Sequence, residues 1–153
     1  MYYTKQEAQR EATALLIQHH LSHWNFKFDA AKRRLGVCRH QSRTIGLSVA
    51  YLSLATKNEI KDVILHEIAH ALVGKGHGHD NVWRNKLIEI GGDGQRLYKG
   101  TARVKAKFYG TCPNCGRQIE KHRRTKIACG TCCTKYNQGK FNKEYLFVWG
   151  INE

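Results

Sequence analysis

The stretch HEIAHALVGKGHGHDNVW, residues 66–83, carries four histidines and one glutamate within a few turns of chain. Its first five residues, His66-Glu67-Ile68-Ala69-His70, form the pattern H-E-x-x-H. On a helix, residues four apart share a face, so the imidazoles of His66 and His70 can reach one ion. Zinc accepts neutral imidazole nitrogen and suits such a pair. Glu67 projects beside the two ligands rather than with them, which fits a general base. A catalytic zinc site needs a third protein ligand and keeps one position open. His77 and His79 both remain as candidates. They stand two apart, so in extended chain they point to opposite sides and only one is expected to bind.

The surroundings support a helix here. Thr56-Lys57-Asn58-Glu59 is a capping box, and Ile60, Val63, Ile64, Ile68, Ala71 and Leu72 recur at helical spacing until Gly74 and Gly76. Asp80 can cap a following helix that carries Trp83, Leu87 and Ile90 and stops at Gly91-Gly92. Upstream, a second capping box, Thr4-Lys5-Gln6-Glu7, opens a helix expected to reach about residue 21. Trp24, Phe26 and Phe28 alternate with polar residues and read as a strand. A basic turn over residues 31–36 follows, then short strands at Val37-Cys38 and at 44–48. A metzincin continuation would place glycine and histidine where Val73 and Gly76 stand, so that class is excluded.

The cysteines define a second centre. Cys112-Pro113-Asn114-Cys115 and Cys129-Gly130-Thr131-Cys132 are two C-x-x-C knuckles at zinc-ribbon spacing. Four thiolates leave no open position, so the expected role is structural. Cys133 is the alternative to Cys132, and Gly116 and Gly130 suit tight knuckle turns. Cys38 lies far off and reads as a small buried residue.

The chain of 153 residues carries 26 Lys plus Arg against 12 Asp plus Glu, a formal charge of +14. Residues 93–153 hold 13 bases and 4 acids, whereas residues 1–92 hold 13 bases and 8 acids. Such an excess favours a polyanion, nucleic acid above all, and places the contact toward the C-terminal part. Lys121, Arg123, Arg124 and Lys126 lie between the knuckles, where they can track phosphates. Arg103, Lys105 and Lys107 alternate with Val104, Ala106 and Phe108 over residues 102–108, as on a strand with one basic face. Tyr109, Tyr136 and Phe141 are candidates to stack on unpaired bases. No apolar run approaches the ~20 residues of a membrane span, and the start MYYTKQEAQR has no apolar signal core. The expected setting is therefore cytoplasmic and DNA-associated, where cysteines serve as metal ligands rather than disulfides.

From Trp24-x-Phe26-x-Phe28 through Ala31-Lys32-Arg33-Arg34-Leu35-Gly36-Val37-Cys38, Ile45-x-Leu47-Ser48, the H-E-x-x-H helix and the Gly/His turn before Trp83, the chain resembles the SprT-like family of zinc metalloproteases. The resemblance covers about residues 24–97, and many members also end in a zinc ribbon. It implies an α+β, zincin-like domain with a small antiparallel sheet over residues 1–100, then a β zinc ribbon over 101–153. The family's third ligand stands four residues before an aromatic residue, which counts back from Trp83 to His79; its frequent His-Gly pair would instead select His77. The aromatic anchor favours His79. The two ligand sets predict two zinc ions per chain, one catalytic and one structural. The resemblance implies proteolysis of DNA-bound or DNA-crosslinked proteins; the expected nucleic-acid partner is single-stranded or distorted DNA and the expected state a monomer. The rival expectation is a DNA-binding ribbon module whose H-E-x-x-H site is structural; an intact Glu67 argues against it.

Overall fold

The structure is a computed structural model and describes residues 1–153. The chain divides into two compact units, Met1–Val104 and Lys105–Glu153. The architecture is α+β.

The first unit opens with α1, Lys5–Gln18, whose capping box closes as the sequence predicts: the Thr4 hydroxyl accepts from Glu7 N–H and the Glu7 carboxylate accepts from Thr4 N–H. The helix ends earlier than expected because His20 turns to φ +59°, outside helical space. Ala8, Ala12, Leu15 and Leu16 form its buried face. Lys57, which opens the helix that follows the first sheet, ties α1 down: its ammonium lies 2.8 Å from Glu7 Oε1, and its N–H donates to the Met1 carbonyl.

Three strands follow: β1 (Asn25–Asp29), β2 (Gly36–Arg39) and β3 (Thr44–Ser48), in the order β1-β3-β2. The expected antiparallel sheet is corrected to a mixed one. β2 and β3 form an antiparallel pair, but β1 runs parallel to β3. The reason is the basic turn: it carries the chain past the position beside β1, so β2 becomes an edge and β3 returns between the two. Ser48 Oγ and Tyr51 Oη donate to the Ala31 and Lys32 carbonyls and pin that turn. Asp29 accepts from Arg34 at 2.6 Å and from Arg39 at 3.2 Å. All five residues of β3 are buried, as suits a central strand covered on both faces.

The helix α2, Lys57–Val73, is capped by Thr56 and Glu59 in the second capping box. It is buried around most of its girth. Ile60, Ile64 and Ile68 are joined inside by Leu65, Ala69 and Glu67, while Val63, Ala71 and Leu72 are only half-buried. Each fully buried isoleucine contributes ~1.5–3 kcal/mol of apolar transfer. The short α3, Asn81–Glu89, is capped by Asp80 and buries Trp83 and Leu87. No helix is long and apolar enough to cross a membrane.

The second unit holds β4 (Phe108–Thr111), β5 (Gln118–Lys121) and β6 (Val148–Ile151), antiparallel in the order β5-β4-β6. Two expectations are corrected here. Residues 102–107 keep alternating burial but pair with no strand, so the strand begins only at Phe108. The second cysteine knuckle opens a helix, α4 (Gly130–Asn137), so the unit is not purely β; Gly130 takes a helical place there, and of the two knuckle glycines Gly116 alone has positive φ, +72°. The core is small: Cys112, Cys129, Cys132 and Phe147, with Ile119, Ile127, Tyr145 and Trp149 against them.

Two expected outcomes follow from this packing. A Cβ built on Gly36 would sit 2.8 Å from Glu67 Cγ and Val63 Cγ1, where β2 meets α2. Gly36→Ala should therefore lower stability by about 1–3 kcal/mol in urea unfolding; an unchanged midpoint would mean that β2 and α2 are not this close. The Glu7 carboxyl is drawn from 4.5 down to about 2, first by its bond to Lys57, then by the Thr4 cap. A depressed carboxylate stabilises the fold above its ordinary value and stops doing so as pH falls through the lowered one. The difference in melting temperature between wild type and Glu7→Gln should be constant above pH 4.5 and close toward pH 2. A difference that persists at pH 2 would remove the ion pair from the account.

Candidate metal centres

The α2 helix sets His66 and His70 one turn apart on a single face. The chain then leaves the helix through Gly74 and Gly76, both at positive φ (84° and 110°), a conformation that glycine adopts without strain. That turn brings His79 back over the helix. His79 Nε2 lies 3.0 Å from His66 Nε2 and 3.3 Å from His70 Nε2. His77 goes elsewhere: its Nδ1 is 2.7 Å from Asp80 Oδ2, on the outer side of the turn.

Trp83 is the floor of this cluster. Its ring centroid lies 4.6 Å from His66, 5.2 Å from His70 and 4.6 Å from His79, nearly coplanar with His70 at 24°. The indole is only 1% exposed, and its N–H donates to the His66 carbonyl. The reach from Trp83 to the third imidazole is therefore a packing constraint as well as a counting rule.

Three imidazole nitrogens in such contact fit a shared cation. Tetrahedral zinc with Zn–N of about 2.0–2.1 Å sets its ligand nitrogens roughly 3.3 Å apart. His66 and His70 are both pushed down to about 4, chiefly by burial and then by neighbouring imidazoles. His79 is lowered too, by burial and then by Arg96. All three therefore stay neutral near pH 7, with lone pairs free to bind metal.

Glu67 points from the same helix toward the sheet and is 9% exposed. Burial pushes its carboxyl up to about 7, opposed by the Arg34 charge and by a hydrogen bond from the Cys38 backbone. The missing side chain at Gly36 is what makes room for it. A carboxyl held near neutrality can accept a proton and return it. His66 and Glu67 both line a cleft of about 500 Å³, walled by residues 33–36 on one side and by residues 93–100 on the other. Residues 93–100 follow no helix or strand pattern in the sequence, and the Asp93-Gly94 turn is the one local signal among them.

In the second unit, Cys112, Cys115, Cys129 and Cys132 bring their sulfurs within 4.8 Å of one another. The pair Cys112–Cys132 is 3.8 Å apart and Cys115–Cys129 is 3.7 Å apart. Zinc with Zn–S near 2.3 Å would separate tetrahedral sulfurs by about 3.8 Å. Asn114 Nδ2 donates to Cys132 Sγ at 3.3 Å. Cys133 is buried but stands outside this group, as does Cys38, whose sulfur lies 3.8 Å from His40 Nε2.

The basic candidates are scattered rather than aligned. Arg123, Arg124 and Lys126 are exposed on the turn after β5, Lys121 is half-buried at its end, and the Arg124 guanidinium lies 4.9 Å from the Phe108 ring centroid. Arg103 is spent on the Gly100 and Ala102 carbonyls, and Lys105 on the Glu153 carbonyl. The ammonium of Lys107 lies 5.5 Å from the Phe108 ring centroid. Tyr109, Tyr136 and Phe141 are all exposed.

No curated protein matches the chain. Among solved structures, the metallopeptidase zymogen of Methanocaldococcus jannaschii jannalysin is similar over 56% of this chain and 82% of its own, at 19% identity and a TM-score of 0.49. The profile of the SprT-like family matches residues 4–106, the whole first unit but its first three residues, and the chain therefore belongs to the SprT-like family.

Proposed function

We propose that the protein is a zinc metalloendopeptidase that cleaves proteins bound or crosslinked to DNA. The observation that carries the hydrolytic part is the meeting of three imidazoles at one point, with His66 and the buried Glu67 carboxyl lining one cleft. Membership of the SprT-like family supports the peptidase reading. His66, His70 and His79 would hold the catalytic zinc, which when bound acts as a Lewis acid toward a peptide carbonyl and makes water a better nucleophile. Glu67 holds the attacking water, takes its proton and passes it to the leaving amine. Arg34 keeps part of Glu67 ionised, and Trp83 keeps the imidazoles from turning away. Cys112, Cys115, Cys129 and Cys132 would hold the second, structural zinc.

The DNA part rests on charge and on exposed aromatics. The +14 chain puts its larger excess after residue 92. The turn that holds Arg123, Arg124 and Lys126 offers cations to phosphates, and Tyr109, Tyr136 and Phe141 offer faces to unpaired bases. This favours single-stranded or distorted DNA, engaged by a monomer in a cytoplasmic, DNA-associated setting. DNA that holds enzyme and substrate protein together would give proximity in place of sequence preference.

The decisive assay follows cleavage of a DNA-binding protein with and without single-stranded DNA. Wild type should cleave faster with DNA, whereas Glu67→Gln should keep two zinc ions per chain and lose cleavage by about 10²-fold or more. Undiminished cleavage by that variant would remove Glu67 from the chemistry, and DNA-independent rates would remove the nucleic acid from the function. Reversing Arg123 and Arg124 to glutamate should weaken binding to single-stranded DNA and reduce the salt slope by about 1.4, two phosphate contacts at ~0.7 each. An unchanged slope would move the contact to another surface.

A further inference from the structure

The outer wall of the cleft, residues 93–100, has a direction. It starts against α3, where a Cβ built on Gly94 would lie 2.9 Å from Ile88 Cγ1. Trp83 of that helix donates to the His66 carbonyl, so this is the histidine end. Tyr98 Oη then donates to Glu59 Oε1 at 2.9 Å, near the start of α2. A side chain on Gly100 would strike both partners of that bond, so the wall is held closely there. The wall thus runs back along α2 from His66 toward Glu59. These two residues stand seven apart in sequence, about 10 Å at 1.5 Å per residue. An extended peptide covers that distance in about three residues at ~3.3 Å each.

Charge is laid unevenly along this track. Asp62 and Asp93 line the cleft toward the histidine end: Asp62 stands one turn before His66, and Asp93 opens the wall beside α3. Toward the other end stand two cations. Lys99 lines the cleft next to Tyr98, is exposed, and its ammonium enters no hydrogen bond or ion pair. The Arg103 guanidinium lies 5.7 Å from the Tyr98 ring centroid. The acid at that end, Glu59, already accepts from Thr56 N–H, Thr56 Oγ1 and Tyr98 Oη, and it offsets the positive end of α2. Arg96 stands midway along the wall, exposed and also without an ion pair.

We propose that the cleft selects peptide segments with an acidic side chain about three residues from the bond that is cut, and that Lys99 is the specificity-determining residue, supported by Arg96. The proposal rests on the reading of this cleft as the substrate groove of a peptidase. Lys99 meets the substrate well away from the reacting atoms. Its attraction is the same before and during the chemical step, so the preference is expressed in KM and leaves kcat alone.

The test uses the zinc-loaded full chain and two quenched-fluorescent peptides. They are identical except three places from the central bond on either side, where one carries glutamate and the other lysine. Mass spectrometry identifies the bond cut. The glutamate peptide should show a kcat/KM about two- to fivefold higher, the range of one exposed ion pair, and the gain should lie in KM. Raising salt from about 0.05 M to about 1 M should erase the preference, as the screening length falls to about 3 Å. Lys99→Glu should reverse it. Lys27→Glu, an equal change in net charge at an exposed position of β1 outside the cleft, should keep it. Calorimetric binding of both peptides to Glu67→Gln gives a second reading free of the chemistry and should show the same order. Equal cleavage of the two peptides overturns the proposal, as does a preference for lysine, or a reversal in Lys27→Glu matching that in Lys99→Glu. Weaker binding of single-stranded DNA by Lys99→Glu with the peptide preference unchanged also overturns it, since it gives Lys99 to phosphate. If wild type cuts neither peptide, binding decides: a glutamate preference in Glu67→Gln sinks the peptidase reading and leaves the charge selection standing, whereas equal binding sinks the selection too.

Discussion

Two neighbouring residues of one helix, His66 and Glu67, face different partners while both reach the same cleft. Successive residues on a helix diverge by about 100°. A helix carrying such a pair therefore needs cover on two sides at once. In this chain β2 covers the Glu67 side and α3 with its turn covers the His66 side. The remaining features answer that demand. Gly36 thins the sheet where the carboxyl lies, Trp83 fills the space beneath the imidazoles, and the two positive-φ glycines let the chain reverse quickly enough to return His79. Isoleucines and leucines around the helix offset the cost of embedding polar groups in it.

Local rules carried well along the sequence where the cause is local. Both capping boxes and the Asp80 cap form as their residues suggest, because cap and helix sit within four residues of each other. The spacing of His66 and His70 is likewise a property of the helix alone. The direction of β1 was not legible. Whether β1 and β3 run parallel depends on where the intervening β2 docks, which no local pattern encodes. The same holds for residues 102–107: their alternation is a burial pattern, and alternation without a neighbouring strand gives extended chain, not sheet. Helix α4 hid for another reason, since Gly130-Thr131-Cys132-Cys133 has poor helix propensity and is held by the cysteine cluster around it.

At the site, sequence supplied the residue types and structure supplied their company. Choosing between His77 and His79 by spacing from Trp83 depended on an aromatic landmark. The fold gives that landmark a physical meaning, because the indole touches all three clustered imidazoles while His77 pairs with Asp80. Arg34 and the Cys38 backbone act on Glu67 from a distant part of the chain. Backbone groups have no signature in a sequence, so such partners emerge only from the fold. The second unit makes a related point about size. A core of three buried cysteines and one phenylalanine is too small to hold a fold by apolar burial alone, so its stability is tied to whatever its four thiols bind.

Trp83 has one more consequence. Of the chain's three tryptophans, it alone lies with its ring against all three imidazoles of the cluster, shielded from water. An indole's emission responds to the charge and the proton donors at its faces. A cation drawn in by those nitrogens would sit within a few ångströms of that ring and change its electric field directly. The residue that holds the site in shape is thus also its built-in optical gauge, one that needs no label to register whether the cluster is filled.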